Sequence, residues 1–329
     1  MHVLDPLNDV FIQLGSLTWY RYSLMILIGI IIAAVLGIKE GNKLGIKTDD
    51  ILDGILIIVP LSIVGTRLWY VIFEFGNIYL PKFQESFLTG LFAVINVSDG
   101  GLAIHGGFIT AFVAAYFFTK RRGINILSTF DIMAPGFLIA QASGRWGNFF
   151  NQEAHGGMIG GVDGSDVPLL NLNEQRAFLT DKLHLPDFIT NNMLIDVNGE
   201  GLQTVDALGD TVYAAYYHPT FLYESVWNVI GFIIMLVLRR TKWLKTGDLL
   251  AFYLVWYSTG RFFIEAMRTD SLYIGDTGIR TAQLISVLMI LGGIAFFILT
   301  RKVFNAKKYH EVLDEVKEQN TNTSVEKGI

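Results

Sequence analysis

Gly144-Arg145-Trp146-Gly147-Asn148-Phe149-Phe150-Asn151-Gln152-Glu153-Ala154-His155-Gly156 marks an abrupt change of character in the chain. The apolar run before it, Phe130 to Ala142, reads as a membrane-spanning helix. At that helix's end stand an arginine, two asparagines, a glutamate and a histidine. A charge at the centre of a bilayer helix costs about 2.5–3.5 kcal/mol on insertion scales, so such residues usually have a task. A snorkelling side chain at an interfacial helix end accounts for Arg145 alone but not for the whole group.

The composition agrees with a bilayer setting. Of 329 residues, 52% are hydrophobic and only 17% charged, against about 25% charged in an average globular chain. That makes the chain a polytopic membrane protein, for which the position of charges matters more than the net charge of −5. There is no cysteine. Disulfides, thiolate metal sites and a cysteine nucleophile of its own are excluded, so any thiol chemistry must use a substrate's thiol. Met1 to Leu17 carries Asp5 and Asp9 but no Lys or Arg, which does not fit a cleavable signal peptide. The first span is expected to be a retained anchor.

Apolar runs of about twenty residues place spans near Tyr20–Ile38, Ile51–Phe73, Gly101–Thr119, Phe130–Gly147, Pro219–Leu238, Leu249–Glu265 and Ala282–Thr300. Lys39, Lys43 and Lys47 follow the first; Lys120, Arg121 and Arg122 follow the third. Arg239, Arg240, Lys242 and Lys245 follow the fifth, and Arg301, Lys302, Lys307 and Lys308 the seventh. Alternate loops are therefore basic, which sets the N-terminus outside and the C-terminus in the cytoplasm.

The expected fold is an all-α polytopic membrane protein of about seven transmembrane helices with a small extracytoplasmic head domain. Residues 1–17 form an outer N-terminal segment, 18–150 and 218–300 the transmembrane core, 151–217 the head domain and 301–329 a cytoplasmic tail. Within the head, Gly156 to Gly164 reads as turns and Asn173 to Leu185 as a helix. Glu74 to Gly100, with Trp69, Tyr70, Phe73, Phe75, Tyr79 and Phe83 in or near it, reads as an aromatic belt with an amphipathic arm. The polar tail after Lys307 reads as a short fraying helix.

Five polar groups interrupt the apolar pattern on the outer side of this map. Trp19-Tyr20-Arg21-Tyr22-Ser23 opens the first span, where belt residues are ordinary. Gly100-Gly101-Leu102-Ala103-Ile104-His105-Gly106-Gly107 sets a histidine between glycine pairs. Histidine is the side chain whose unperturbed titration best suits proton transfer near neutral pH. The opening stretch is the third. In the fourth, Tyr257 to Arg268, the spacing predicts that Arg261, Glu265 and Arg268 share one helix face. An intrahelical salt bridge explains one pair there but not the second arginine. Arginines on the side otherwise poor in cations point to an anionic ligand, since guanidinium grips phosphate with two donors. In the fifth, His218-Pro219-Thr220-Phe221-Leu222-Tyr223-Glu224 starts a span with Pro219 suited to the first helical turn.

These residues carry a resemblance. Gly144-Arg145-x-Gly147-Asn148-Phe149-x-Asn151-x-Glu153-x-x-Gly156 resembles the signature of bacterial prolipoprotein diacylglyceryl transferases. The His105-Gly-Gly, His218-Pro-x-x-Leu-Tyr-Glu224 and Gly260-Arg261-Phe-x-x-Glu265 segments match the same family in the same order. Ser23 stands where a glycine usually follows the first-helix tyrosine, and the segment from Gly157 to Tyr217 is longer than in compact members.

The resemblance implies an enzyme of the bacterial cell membrane that moves the diacylglyceryl group of phosphatidylglycerol onto the lipobox cysteine thiol of a prolipoprotein. It implies catalytic roles for His105, Arg145, Arg261, Glu153 and Tyr22. Lipid binding falls to Arg145, Asn148, Arg261, Glu265, Tyr257 and Asn151, with His218, Tyr223, Glu224 and Gly156 in support. The expected partners are phosphatidylglycerol, lipobox-containing prolipoprotein precursors and membrane lipid, with no nucleic acid. No cofactor is expected, and no metal, because the histidines lack companion ligands at zinc-site spacing. Read from the residues, His105 is the candidate base for a thiol, and Arg145 and Arg261 the candidate stabilisers of a departing phosphate. Two rivals remain in other classes. A transporter calls for internal repeats and polar residues through the full membrane depth. A structural membrane protein has no use for the arginine–histidine set.

Overall fold

A computed structural model describes the chain except for residues 1–2, 5–6, 8, 16, 97–99, 102, 162–169, 197–201, 207–210, 270, 275–276 and 328–329. At 3–4, 17, 104–105, 206, 320 and 323–327 it describes the backbone alone.

Helices occupy every position where an apolar run is read: α1 (Arg21–Lys43), α2 (Thr48–Phe73), α5 (Ile104–Arg122), α6 (Ile126–Phe150), α9 (Thr220–Leu238), α10 (Asp248–Met267) and α11 (Thr281–Lys302). The fourth expected span is the one that grows most, to 25 residues. Pro60 and Pro135 sit inside α2 and α6 without ending them, as intramembrane helices tolerate. Among the described residues, five helices are long and apolar enough to cross a membrane: α1, α2, α6, α9 and α11. Helices α5 and α10 are long enough but less apolar, the first ending in Lys120-Arg121-Arg122 and the second carrying Arg261 and Glu265.

Smaller helices are α3 (Leu80–Glu85), α4 (Phe87–Ile95), α7 (Leu172–Ala177), α8 (Asp187–Asn191) and α12 (Tyr309–Lys327). Single π-helical turns precede α3 (Phe75–Tyr79) and follow α7 (Phe178–Lys182). The expected helix over Asn173–Leu185 is thus α7 and its wide last turn. Its start is fixed by Asn171, whose side chain accepts from Glu174 N at 3.1 Å while the Glu174 carboxylate accepts from Asn171 N at 2.9 Å. Such a capping box contributes about 1 kcal/mol. Residues 162–164, the end of the stretch read as turns, lie outside the described residues.

The expectation of an all-helical chain is corrected, because the structure is mostly helical and also contains strands. They are β1 (Val3–Leu4), β2 (Val10–Leu14), β3 (Leu17–Tyr20), β4 (Leu194–Asp196), β5 (Leu202–Asp206) and β6 (Thr211–Tyr216). One sheet has the order β1-β5-β6-β4, with β1 parallel to β5 and the other pairs antiparallel; β2 and β3 form a hairpin. Strands this short carry little periodicity, and β1 pairs with residues about two hundred positions away. The hairpin also moves Trp19 and Tyr20 off the first helix, which begins at Arg21.

The chain divides into two compact units. One comprises Met1–Leu36 and Met133–His310. Its core gathers Phe149, Ile159, Leu172, Leu179, Ile189, Met193, Ala214, Tyr216 and Phe221 around the four-stranded sheet, α7 and the start of α9. The other comprises Gly37–Ile132 and Glu311–Ile329. There α2 and α5 approach backbone to backbone: a Cβ on Gly106 would lie 2.3 Å from the Gly65 carbonyl oxygen. Small residues allow such contact between intramembrane helices.

Candidate active site

Three helices of the first unit bring the polar groups together. Glu224, on the first turns of α9, is 2% exposed and its carboxylate lies between two arginines. Arg145 of α6 places Nη2 2.7 Å from its Oε1, and Arg261 of α10 places Nη1 3.5 Å from its Oε2. Arg261 also pairs through Nη2 with Glu265 Oε2 at 2.6 Å, the i,i+4 pair that the spacing predicts. Glu265 is as buried as Glu224, whereas both arginines keep just under a fifth of their side-chain surface accessible. Two cations thus balance two buried anions, the arrangement that offsets the desolvation of each.

A second layer starts from Arg145. Its Nη1 donates to Asn148 Oδ1 at 3.2 Å, Asn148 Nδ2 donates to Glu153 Oε1 at 2.9 Å, and Asn151 Nδ2 reaches the same oxygen at 3.4 Å. Glu153 therefore acts on Arg145 through Asn148, one bond removed. Tyr257, one turn before Arg261 on α10, hydrogen-bonds Arg145. Its ring stacks on Tyr253, whose hydroxyl accepts from Gln141 Nε2 at 2.9 Å. The Tyr22 ring lies against Gly147, where a Cβ would come within 2.6 Å of it.

The relation of α9 to α10 is set by two tryptophans. Trp227 and Trp256 stack with ring centroids 4.3 Å apart. Trp227 Nε1 donates to Trp256 O at 2.9 Å, and Trp256 Nε1 donates to Trp227 O at 3.0 Å. Each indole needs a glycine opposite: a Cβ on Gly260 or Gly231 would sit 2.3 Å from the facing indole nitrogen. Gly260 immediately precedes Arg261, so the seat of one indole is also the root of a site arginine.

His218 forms the outer support. Its Nδ1 is 3.3 Å from the Tyr223 hydroxyl, and its carbonyl accepts from Gly156 N at 2.9 Å. Burial pushes its imidazole below the ordinary histidine value, which favours the neutral ring. Gly156 also bridges to Arg268. That corrects one expectation: α10 ends at Met267, and Arg268 has extended backbone, so it does not share a helix face with Arg261 and Glu265. Sequence reasoning missed Arg280, at the start of α11, whose Nη1 donates to the Glu265 carbonyl oxygen at the end of α10.

His105 belongs to the other unit, as the second residue of α5, and its side chain lies outside the described residues. Within the first unit, twelve expected site residues meet or support one another: Tyr22, Arg145, Asn148, Asn151, Glu153, Gly156, His218, Tyr223, Glu224, Tyr257, Arg261 and Glu265.

Residues 9–299 match the model of a family described as prolipoprotein diacylglyceryl transferase. The chain belongs to that family. Curated relatives agree over nearly the whole length. The phosphatidylglycerol–prolipoprotein diacylglyceryl transferase of Bacillus cereus (strain 03BB102) is 42% identical over 309 residues, covering 94% of this chain and 98% of its own. The transferases of the same name from Bacillus thuringiensis subsp. konkukian (strain 97-27) and Bacillus anthracis show the same identity and coverage. The family match runs from the β2–β3 hairpin almost to the end of α11, and so takes in both compact units.

Proposed function

We propose that this protein transfers the diacylglyceryl group of phosphatidylglycerol to the lipobox cysteine thiol of prolipoproteins. The substrate thiolate attacks the glycerol carbon that carries the phosphate. A carbon–sulfur bond forms, the carbon–oxygen bond to phosphorus breaks, and glycerol phosphate leaves with the electron pair. The thiol's proton passes through a base and balances the departing oxygen.

The observation that carries this reading is the pair of part-exposed arginines held by one buried carboxylate. Guanidinium groups already fixed in a water-poor setting stabilise negative charge as it develops without further reorganisation. Several of their donors are committed to Glu224, Glu265 and Asn148, so the phosphate must be met by those that remain. Purified protein mixed with phosphatidylglycerol and a lipobox peptide should release glycerol phosphate and add a diacylglyceryl mass to the peptide. Absence of both products would sink the assignment.

His105 is our candidate for the base. A thiol with a pKa of about 8.5 needs one near neutral pH. His105→Gln keeps polarity and approximate size but cannot take a proton. It should abolish most turnover, and good turnover with unchanged pH dependence would transfer the role to another group.

We further take α1, α2, α5, α6, α9, α10 and α11 all to span the membrane, N-terminus outside and C-terminus in the cytoplasm, with residues 151–217 as an outer head. The segregation of Lys and Arg supports this arrangement. The native chain offers no competing thiol, so single cysteines report cleanly. Lys182→Cys should react with an impermeant maleimide on intact cells, and Glu318→Cys only after permeabilisation. The reverse pattern would invert the topology.

A further inference from the structure

Arg67 lies deep in the second unit, and the proposed mechanism does not use it. It sits inside the apolar run of α2 and is 9% exposed. Its guanidinium makes five hydrogen bonds, all to backbone carbonyls. Nε donates to Val94 O at 2.9 Å. Nη1 donates to Gly100 O at 2.8 Å and Gly101 O at 2.9 Å, and Nη2 to Ala93 O at 2.7 Å and Asn96 O at 2.6 Å. A guanidinium carries five N–H groups, so the set is saturated. Three of the acceptors lie at the C-terminal end of α4, Ala93 O and Val94 O in its last turn and Asn96 O at its cap, where a helix leaves carbonyls unsatisfied and its dipole favours a cation. The other two belong to the turn that leads into α5. Tyr70 and Tyr79 flank the cation, their ring centroids 6.0 and 5.6 Å from its central carbon.

The same junction sets the start of α5. Gly101 has φ +72°, a conformation that favours glycine, and a Cβ there would come within 2.6 Å of Arg67 Nη1. Ala103 N donates to Thr66 O at 3.1 Å, one residue from Arg67, and Gly106 N donates to Ala103 O at 3.1 Å. His105 falls between these two anchored amides.

We propose that Arg67 is a positioning residue for the reaction: it bolts the turn at Gly100-Gly101 to α2 and thereby fixes where α5 presents His105. The inference rests on the reading of His105 as the base. A lysine at 67 keeps the charge but supplies three N–H groups for five carbonyls. With full-length protein, phosphatidylglycerol micelles and a lipobox peptide, Arg67→Lys should lower kcat about 100-fold while KM for phosphatidylglycerol changes by no more than about twofold. Added to His105→Gln, it should cost nothing beyond His105→Gln alone, because both changes act through one group. Additive losses, a KM that rises as kcat falls, or a kcat near that of the parent would each overturn the proposal. Full turnover by His105→Gln alone would overturn the reading beneath it, a result visible without touching Arg67. If Arg67→Lys does not accumulate as folded protein, Gly101→Ala disturbs the junction from the other side. The same split between kcat and KM is expected of it, and its absence would count against the proposal equally.

Discussion

Glu224→Gln is expected to be the most damaging single-atom change in the protein. The carboxylate neutralises two guanidinium groups on two other helices while 2% exposed. An amide of the same shape turns one end into a donor facing a donor. Leaving a buried charge without its partner costs about 3–5 kcal/mol, and here two cations lose one. Losing their shared anchor also lets both arginines drift, and a misplacement of about 1 Å costs on the order of 100-fold in rate. We therefore expect turnover to fall at least that far and the thermal midpoint in detergent to drop clearly. Glu265→Gln is the comparator: it unpairs Arg261 only, so its effects should be smaller on both measures. Equal effects from the two variants, or near-parental turnover by Glu224→Gln, would reduce Glu224 to bulk counter-charge.

Arg145→Lys and Arg261→Lys should each lose most activity while the protein stays monodisperse. Arg145 serves Glu224 and Asn148 from two different nitrogens, and Arg261 serves Glu224 and Glu265 likewise. An ammonium group is a point charge and cannot hold two partners and a phosphate at fork geometry. Removing one donor from a charge-stabilising site typically costs 10²–10³-fold, roughly the loss expected for each variant. Arg268→Lys is the control, since that residue follows the end of α10 with extended backbone and so lies off the helix face that carries Arg261 and Glu265. Phosphatidylglycerol turnover by all three variants in one detergent decides the matter. Near-normal rates for Arg145→Lys and Arg261→Lys would remove the directional role and leave only general electrostatics.

The seven long helices were legible because a long, largely apolar run is a strong signal that needs no partner, even where charges interrupt or end it, as in α5 and α10. The Arg261–Glu265 pair was legible for a related reason, since spacing within one helix determines who can meet. Glu224 was named from sequence only as a supporting residue. Its partners lie on α6 and α10, and pairing between helices cannot be read from spacing along one. Arg67 was overlooked because it is a single charge inside Ile51–Phe73, and its acceptors are carbonyls, which no sequence displays. The strands escaped for want of length, β1 having two residues and β4 three. Arg280 escaped because it holds a helix end that exists only once α10 has stopped at Met267.

The indole exchange between α9 and α10 implies a quantised register. Each ring donates to the carbonyl of its opposite number, so the two bonds lengthen together when one helix slides along the other. A shift of one residue moves a helix by about 1.5 Å, far beyond the few tenths of an ångström over which an N–H···O bond holds its strength. The glycine seats add a steric stop, since a displaced indole meets a neighbouring side chain in place of a bare backbone. The pair thus acts as a detent with one setting, engaged or released, and no graded travel between. Glu224 lies one helical turn from Trp227 and Arg261 little more than one from Trp256, so the separation of carboxylate and guanidinium inherits that all-or-none character.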